Sequence, residues 1–298
     1  MALAATCQAK PCVDCSTAAG DAVACGPAQQ RCSSRGGSSS RRTADFTFHL
    51  ADVYCNSNDP AAPFYDPVHD LYHVFHQLHI AEPAGGMGEG PSWGHFVSRD
   101  LVRWARLPVA LWNDESYDRS ALYTGSATIV DGQPVVMYPA KRGNNFSFAL
   151  AVPANASDPL YTRWTKSGRV GGRTFRNPVL TTNVYDDPST AWRTAEGEWR
   201  MIGHFPCNVP NSTAYWSNGL YASDDFVSWR YLGCTQLPHG DCPTLFPLPR
   251  LTPGSSAPSG APLPTHVHKA GGDQGDAAQV GVWRDGALYF KRLATRRC

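Results

Sequence analysis

The chain has 298 residues, of which 42% are hydrophobic, so it is long enough for one large core or two smaller ones and lacks the composition of a disordered protein. A formal net charge of +1 gives no field that would attract nucleic acid or an anionic membrane, and no apolar run is long enough to span a bilayer. The 9 Trp, 12 Tyr and 12 Phe, with 27 Gly and 24 Pro as turn residues, predict an all-β fold.

The first 45 residues are rich in Ala, Ser, Gly and Arg and contain five of the ten Cys. They lack periodic apolar spacing, so we expect residues 1–45 to be a disordered, Cys-containing leader and residues 46–298 to form the folded domain. Cys12 and Cys15 are spaced like half of a zinc site, but no second pair follows, and we expect neither a metal nor a cofactor. The apolar start is too short for a clear signal peptide.

A sequence signature recurs from residue 46 onward. A turn containing Ser and Asp precedes Trp104, Trp164 and Trp229, which are 60 and 65 residues apart. Repetition at such a period is typical of propellers and other repeat folds. A β-sandwich with evenly spaced turns would explain strands, but it would not explain the repeated Trp.

Hairpin turns recur with the same period. They are predicted at residues 66–70, 131–132, 196–197 and 285–286, about 65 residues apart except for the last interval, which holds a Pro-, Gly- and Ser-rich insert at about 249–275. A repeat of this length fits one four-stranded propeller blade. We therefore predict a β-propeller with about four blades in this chain, so either the propeller is a four-bladed ring or the chain is incomplete.

Three acids stand at corresponding positions of the repeats. Asp59 and Asp187 directly precede Pro, and Asp241 precedes Cys-Pro. Because the innermost strand of a blade lines the central channel, acids at the opening of each repeat are expected to converge, and hydrolysis of a glycosidic bond needs such carboxyls. The alternative is that each Asp-Pro pair merely begins a turn.

Several longer segments carry a further signal. They are Asn58 to Pro60, Tyr72 to Gln77, Trp93 to Trp104, Leu107 to Ala110, Tyr123 to Thr128, Asp187 to Arg193 with Gly197 to Trp199, and Asp241 to Phe246. In this order they resemble glycoside hydrolase family 32. The resemblance covers about residues 46–290 and implies a five-bladed propeller, usually followed by a β-sandwich, that hydrolyses terminal β-D-fructofuranosides such as sucrose or fructans with retention.

The resemblance also implies roles for single residues. Asp59 would be the nucleophile, Asp187 would stabilise the transition state through sugar hydroxyls, and Asp241 would take the place of the acid/base. The residues implied to contact the sugar are Asn58, Gln77, Tyr123, Thr124 and Asp186. The partner is then a small carbohydrate, and neither nucleic acid nor a membrane is expected.

The chain departs from the family pattern at three positions. The family's acid/base is Glu, which is one methylene longer than Asp241. The family's Arg before the middle acid is replaced by Asp186, and two adjacent carboxyls raise each other's pKa. Ala61 stands where the family has Asn. The chain also ends after a fourth repeat, in a basic segment from Arg292 that does not resemble a blade strand, so we expect it to be incomplete.

Two other functions stay open at this point. The departures at Asp186 and Asp241 favour a weakened enzyme or a non-catalytic carbohydrate-binding propeller. An arabinosidase or xylosidase is a further alternative, which a wider carboxyl separation of about 6.5 to 9.5 Å would indicate.

The compartment and the cysteine pairing are expected as follows. Glycosylation sequons at Asn145, Asn155 and Asn211 and the ten Cys favour an extracellular or vacuolar location. Cys234 and Cys242 flank the third acid and are candidates for a disulfide. Cys55 and Cys207 are either partners or free thiols.

Overall fold

The computed structural model describes residues 50, 56–79, 90–206, 216–235, 237, 240–248, 265–271, 277–284 and 289–297. The predicted leader at 1–45 lies outside these residues. Within them all regular structure is β, in nineteen strands, and no helix that could span a membrane is present. The prediction of an all-β chain is confirmed.

The first sheet has four antiparallel strands in chain order. Aromatic and aliphatic side chains alternate with polar ones along its strands, and Phe75, Trp93 and Val97 are completely buried. The strands are β1 (Asn56–Asp66), β2 (Leu71–His79), β3 (Ser92–Ser98) and β4 (Trp104–Leu111).

The second sheet follows the same order, but its first strand is broken into two pieces. β5 and β6 both pair with β7, at opposite ends of that strand, and residues 123–125 form the gap between them. A separate two-stranded ribbon follows this sheet. The strands are β5 (Ala121–Leu122), β6 (Ser126–Val130), β7 (Gln133–Arg142), β8 (Asn145–Pro153) and β9 (Trp164–Thr165), and in the ribbon β10 (Ser167–Val170) and β11 (Arg173–Arg176).

The third and fourth sheets are again four-stranded and antiparallel in chain order. In the described residues, four sheets of this order confirm the predicted four blades. The third sheet contains β12 (Trp192–Arg193), β13 (Trp199–Pro206), β14 (Trp216–Ser223) and β15 (Arg230–Cys234). The fourth contains β16 (Asp241–Pro247), β17 (His266–Gly271), β18 (Ala277–Arg284) and β19 (Tyr289–Arg297).

The chain divides into two compact units. Unit one comprises residues 1–123, 140–145 and 153–165, and unit two comprises 124–139, 146–152 and 166–298. Unit one therefore contains the first sheet, and unit two contains the third and fourth sheets. In unit two, Phe148, Tyr221 and Phe226 belong to one buried cluster, and Ile202 and Leu245 belong to another.

The predicted Ser/Asp-to-Trp repeat is confirmed. Trp104 and Trp164 open β4 and β9, and Trp229 directly precedes β15, so each Trp marks the start of the last strand of its sheet. The Trp recurs at this place because it follows a turn that short polar side chains stabilise.

Two of these turns make the same contacts. Oδ1 of Asp100 accepts the backbone N–H groups of residues 102 and 103 at 2.9 and 2.6 Å, and Oδ1 of Asp225 accepts those of residues 227 and 228 at 3.0 and 2.7 Å. The indole Nε1 of Trp104 and of Trp229 donates to the carbonyl three residues earlier, at 3.1 and 2.8 Å. The repeat therefore encodes a recurring turn, held by its own side chains.

The last predicted hairpin turn is not equivalent to the other three. The turns at 66–70, 131–132 and 196–197 join the first and second strands of their sheets, whereas residues 285–286, which lie outside the described residues, fall between the third and fourth strands. The equivalent connection in the fourth sheet spans residues 248–265. Part of the predicted insert at 249–275 is in fact β17.

The basic C-terminal segment was wrongly predicted not to form a strand. Residues 289–297 form β19, which pairs with β18 as the last strand of the fourth sheet. Lys and Arg are common on strands at a sheet edge, where their charge opposes pairing with another chain. Their presence is therefore compatible with a blade strand.

The predicted disulfide between Cys234 and Cys242 is wrong. Cys234 is disulfide-bonded, whereas Cys242 carries an exposed thiol that is not part of a disulfide. Cys55 and Cys207 lie outside the described residues, so their pairing stays a prediction.

Buried histidines should make the fold sensitive to acid. His73 Nδ1 lies 3.0 Å from His95 Nε2 between β2 and β3, and His268 is buried in β17. Burial lowers the pKa of His73 and of His268 to about 4, and it lowers the pKa of His95 well below the usual value. The unfolded chain takes up these protons near its ordinary histidine pKa of about 6.5, before the folded chain does.

We therefore expect the free energy of unfolding to fall between about pH 6.5 and about pH 4, by about 3 kcal/mol each for His73 and His268. Denaturant titrations at several pH values measure this slope. His73→Gln should reduce the slope, whereas Phe96→Leu, a change at a buried non-titrating residue, should lower stability equally at every pH. An unchanged slope in His73→Gln would contradict the expectation.

Candidate functional site

Asp59 lies where the first strand of the first sheet is irregular. The pairing of β1 with β2 shifts between Ser57 and Pro60, so Asp59 falls in the bulge and its side chain is exposed. Gln77, buried on β2, donates from Nε2 to Oδ2 of Asp59 at 3.2 Å. The bulge thus presents the carboxylate to solvent while an amide fixes its direction.

Tyr123 and Thr124 lie in the gap between β5 and β6. The backbone carbonyl of Tyr123 accepts the indole N–H of Trp93 at 3.1 Å, and Lys141 Nζ lies 5.4 Å from the centre of the Tyr123 ring. Thr124 is buried. The break in the strand leaves these side chains outside the regular pleat, as is common where strands contribute to a site.

Asp187 precedes β12 in the stretch that takes the first-strand position of the third sheet. It has a φ of 48°, which is in the left-handed region. Its neighbour Asp186 forms an isolated antiparallel bridge with His204 of β13. Oδ2 of Asp187 accepts the backbone N–H of Cys242 at 2.9 Å, and this bond links the third sheet to the fourth.

Asp241 is the first residue of β16, the first strand of the fourth sheet. The pairing of β16 with β17 shifts between Asp241 and Thr244, and Cys242 within this shift has a φ of 49°. The Asp241 side chain is 79% exposed. Asp59 and Asp241 therefore occupy irregular positions in the first strands of two sheets, and Asp187 lies in the irregular stretch that precedes the first strand of a third.

Burial and the charge of a nearby carboxyl raise the pKa of two of the acids in unit two. Burial, followed by the adjacent charge of Asp186, raises the pKa of Asp187 to about 7. Burial also raises the pKa of Asp186, with a contribution from the charge of Asp241, although the hydrogen bond with His204 opposes the shift. The predicted effect of adjacent carboxyls is therefore confirmed in direction for Asp187.

His204 is a site residue that the sequence did not reveal. Its Nδ1 lies 2.8 Å from Oδ1 of Asp186, and its Nε2 lies 3.7 Å from Oδ1 of Asp241. A single His in an apolar strand gives no signal, because only the register between the Asp186 segment and β13 places it against the acids.

The same group has the spacing of a cation site. One ligand atom from each of Asp186, Asp187 and His204 lies within 4.8 Å of the other two. The 2.8 Å contact between His204 and Asp186, however, has the length of a hydrogen bond with an N–H donor. We therefore interpret the group as a hydrogen-bonded acid cluster.

The structure thus brings Asp186, Asp187 and Asp241 together in unit two, around His204 and Cys242. In unit one, it brings Asp59 together with Gln77. Asn58, predicted to contact substrate, is exposed next to Asp59.

Removing the charge of Asp186 should change the pH dependence of the site. An Asn at this position can still accept the His204 hydrogen bond, but Asp187 loses the repulsion that helps to raise its pKa. If ionised Asp187 is needed for activity, the acidic limb of kcat/KM should move to lower pH in Asp186→Asn. At pH values below the titration midpoint of Asp187, a tenfold larger acid dissociation constant would raise the ionised fraction of Asp187 about tenfold. The profile is measured between about pH 4 and about pH 9.

Asp224→Asn is the matched control for this prediction. Asp224 is an exposed acid directly after β14. It follows Ser223, which pairs with Trp199 at the end of β13 that is distant from His204. Its replacement should leave the profile unchanged. A profile of Asp186→Asn that matches the wild type would contradict the role of charge repulsion.

Comparison with known proteins gives a consistent family. Residues 49–275 match the family model described as the glycosyl hydrolases family 32 N-terminal domain. An insoluble isoenzyme of β-fructofuranosidase from Arabidopsis thaliana is 35% identical over 68% of this chain, and a vacuolar acid β-fructofuranosidase from a Rosa hybrid cultivar is 35% identical over 64%. The chain spans 37% and 28% of the lengths of these two relatives.

Solved structures agree with the sequence matches. Fructan 1-exohydrolase IIa from Cichorium intybus superimposes with a TM-score of 0.64 at 29% identity, covering 83% of this chain and 45% of that one. A variant of the same enzyme, solved in complex with 1-kestose, gives a TM-score of 0.62 at 28% identity, covering 83% of this chain and 47% of that one. These likenesses support the propeller fold that the four sheets indicate.

Proposed function

Since the chain belongs to glycosyl hydrolase family 32, we propose that it hydrolyses terminal β-D-fructofuranosides, such as sucrose or fructans, with retention through an aspartyl nucleophile. The observation that carries the proposal is that Asp59 and Asp241 lie at irregular positions in the first strands of two sheets, while Asp187 lies in the stretch that leads into the first strand of a third. Residues 46–298 would form the catalytic propeller, and residues 1–45 would be a leader outside it.

Asp59 would attack the anomeric carbon. Its exposed carboxylate is reachable from solvent, and the Gln77 amide holds one of its oxygens in place. Retention needs a nucleophile and an acid/base about 5 Å apart, in two successive displacements. An ester between Asp59 and fructose would be the intermediate.

Asp187 and Asp241 would supply the other two carboxyls of the reaction. Ionised Asp187 would bind sugar hydroxyls and stabilise positive charge on the ring, while the backbone N–H of Cys242 orients its carboxylate. Asp241 would protonate the leaving oxygen and then deprotonate water. The side chains proposed to contact the sugar are Asn58, Gln77, Tyr123, Thr124 and Asp186.

A weakened or non-catalytic sugar-binding propeller is the second candidate. It is favoured by the short Asp241 side chain, which is 79% exposed, and by the pKa of about 7 that keeps Asp187 partly protonated at neutral pH. General acid catalysis contributes about 10² to 10⁴-fold, and a displacement of about 1 Å can remove much of it. The two candidates therefore differ in turnover more than in binding.

The proposed location is extracellular or vacuolar. The relatives include an insoluble isoenzyme and a vacuolar one. Two of the three sequon residues, Asn145 and Asn155, are exposed in the structure and accessible to a glycan. The third, Asn211, lies outside the described residues.

Sugar release by the full chain tests the proposal. We expect fructose from sucrose, inulin or levan, and none of the corresponding pentose from aryl arabinosides or xylosides. A folded protein that binds fructosides in calorimetry without releasing fructose would support the binding propeller. A protein that neither binds nor cleaves any of these sugars would overturn both candidates.

A further inference from the structure

His204 lies between two carboxyls of unit two, and one of them is the proposed acid/base. Its Nδ1 is 2.8 Å from Asp186 Oδ1, and its Nε2 is 3.7 Å from Asp241 Oδ1. The His204 side chain is only 9% exposed, whereas that of Asp241 is 79% exposed. A buried ring thus faces an exposed, short acid.

The backbone fixes the position of the ring. Asp186 N–H donates to the His204 carbonyl at 3.3 Å, within the bridge that joins their two segments. The Tyr185 ring lies edge-on to the imidazole, with 5.9 Å between the ring centres. β13, which carries His204, packs against β16, which carries Asp241.

The contact with Asp186 determines which nitrogen faces the acid/base. A carboxylate accepts hydrogen bonds, so Nδ1 carries a proton that points to Asp186, and Nε2 is the nitrogen that faces Asp241. The 3.7 Å separation is that of an ion pair and exceeds a hydrogen bond. A direct hydrogen bond would require the exposed Asp241 side chain to move closer to the ring.

We propose that His204, held by Asp186, is the positioning residue for Asp241: it anchors the carboxyl of this short acid and shares one proton with it. The inference rests on the proposed fructosidase function. Such positioning would let the site use Asp at the position where the family pattern has the longer Glu.

The proton transfers balance in both half-reactions. In the first, the proton moves from His204 Nε2 through Asp241 to the leaving oxygen, which keeps the electron pair of the broken C–O bond while an Asp59 oxygen bonds to the anomeric carbon. In the second, water bonds to that carbon as the bond to the Asp59 oxygen breaks and its electron pair returns to Asp59. The proton lost by the water passes through Asp241 back to His204.

The charges around His204 favour this arrangement. Burial alone would lower the pKa of His204, but the Asp186 hydrogen bond and the negative charges of Asp186, Asp187 and Asp241 together raise it above the usual value. Among the described residues, the Tyr185 ring lies edge-on to the imidazole and Asn218 stands opposite His204 on β14, while β17, the strand paired with β16, carries Lys269.

NMR titration of the His204 ring in the full chain tests the pairing without requiring activity. His204→Gln identifies the signal by its loss. In Asp241→Asn, and more strongly in Asp186→Asn, the titration midpoint of His204 should move to lower pH, whereas Asp224→Asn should leave it in place. An unmoved midpoint in Asp241→Asn would overturn the proposal, as would a wild-type ring signal that shifts on addition of EDTA, which would indicate a bound cation.

Kinetics test the consequence. His204→Gln should lose about 10²-fold in kcat on sucrose, with a smaller change in KM and a displaced pH profile. An activated aryl β-D-fructofuranoside needs no proton donor for its leaving group, so the rate of the initial aryl release, which reports ester formation alone, should stay within a few-fold of the wild type in the variant. A loss of this initial rate equal to the loss on sucrose would indicate a structural role and overturn the inference.

Failure of the two proposals can be told apart. If the wild type releases fructose but His204→Gln keeps the wild-type rate and pH profile, only the role of His204 fails. If the wild type cleaves no fructoside, the proposed function fails, and the NMR titration still decides whether His204 pairs with Asp241.

Discussion

Asp59→Asn is expected to reduce fructose release from sucrose by about 10⁴-fold or more, the order of loss that follows removal of one member of a catalytic group. The amide has nearly the same shape as the carboxylate and can still contact Gln77, whose Nε2 lies 3.2 Å from Asp59 Oδ2. It lacks the negative charge and nucleophilicity needed to bond to the anomeric carbon. The measurement is the initial rate of fructose release, with folding checked by circular dichroism.

Asp70→Asn is the matched control for the nucleophile. Asp70 is an exposed acid of unit one, in the turn after β1, and it contacts the Tyr65 hydroxyl and Arg99. Its replacement should leave the rate within about twofold, because surface pairs of this kind contribute little to stability. Comparable rates for Asp59→Asn and the wild type would refute the assignment of Asp59.

Asp241→Glu is expected to raise turnover by about 10²-fold. The side chain gains one methylene, which is the length of the acid that the family pattern has at this position, and a displacement of about 1 Å in a catalytic group costs about this factor. Because Asp241 is 79% exposed, a longer side chain can be accommodated without displacing buried groups. The readout is kcat on sucrose, with KM expected to change less.

The outcome also separates the two candidate functions. A large gain identifies an enzyme limited by its short acid, whereas unchanged turnover with retained sugar binding identifies a binding propeller. Asp224→Glu adds the same methylene at an exposed acid outside the site and should have no effect. A gain of equal size in that control would refute the explanation that turnover is limited by the short side chain of Asp241.

The sheets were predictable because their turns are encoded locally. Asp100 and Asp225 hold equivalent turns through their own backbone neighbours, so the distance between Trp104 and Trp229 already contained the period of the fold. A hydrogen bond between residues at most three apart depends on the local sequence, so the residue pattern that forms it can be recognised without knowledge of the tertiary packing.

The fourth sheet was less predictable for the same reason. Its first hairpin connection is the long segment at 248–265, which has no Asp-Gly signature, and the nearest such signature, at 285–286, joins a different pair of strands. Composition also obscured β19, since basic residues on an edge strand resemble a solvated tail.

The irregular backbone around the candidate acids was predictable where one segment carries the signal. Asp59, Asp187 and Asp241 each precede Pro or Cys-Pro in the sequence, and each lies in or next to an irregular stretch at the start of a sheet. His204 was not, because its contact with Asp186 joins residues on two strands and depends on their register. The absence of a disulfide at Cys242 likewise follows from tertiary geometry, which spacing in the sequence does not fix.

Covalent trapping tests the central claim most directly. Asp241→Ala, treated with an activated aryl β-D-fructofuranoside and quenched in acid, should accumulate the ester because its hydrolysis lacks a base. Peptide mass spectrometry is then expected to find one fructosyl unit on the peptide that contains Asp59. Release of fructose with no label on that peptide, or a label on another acid, would contradict the assignment of Asp59 as the nucleophile of a retaining fructosidase.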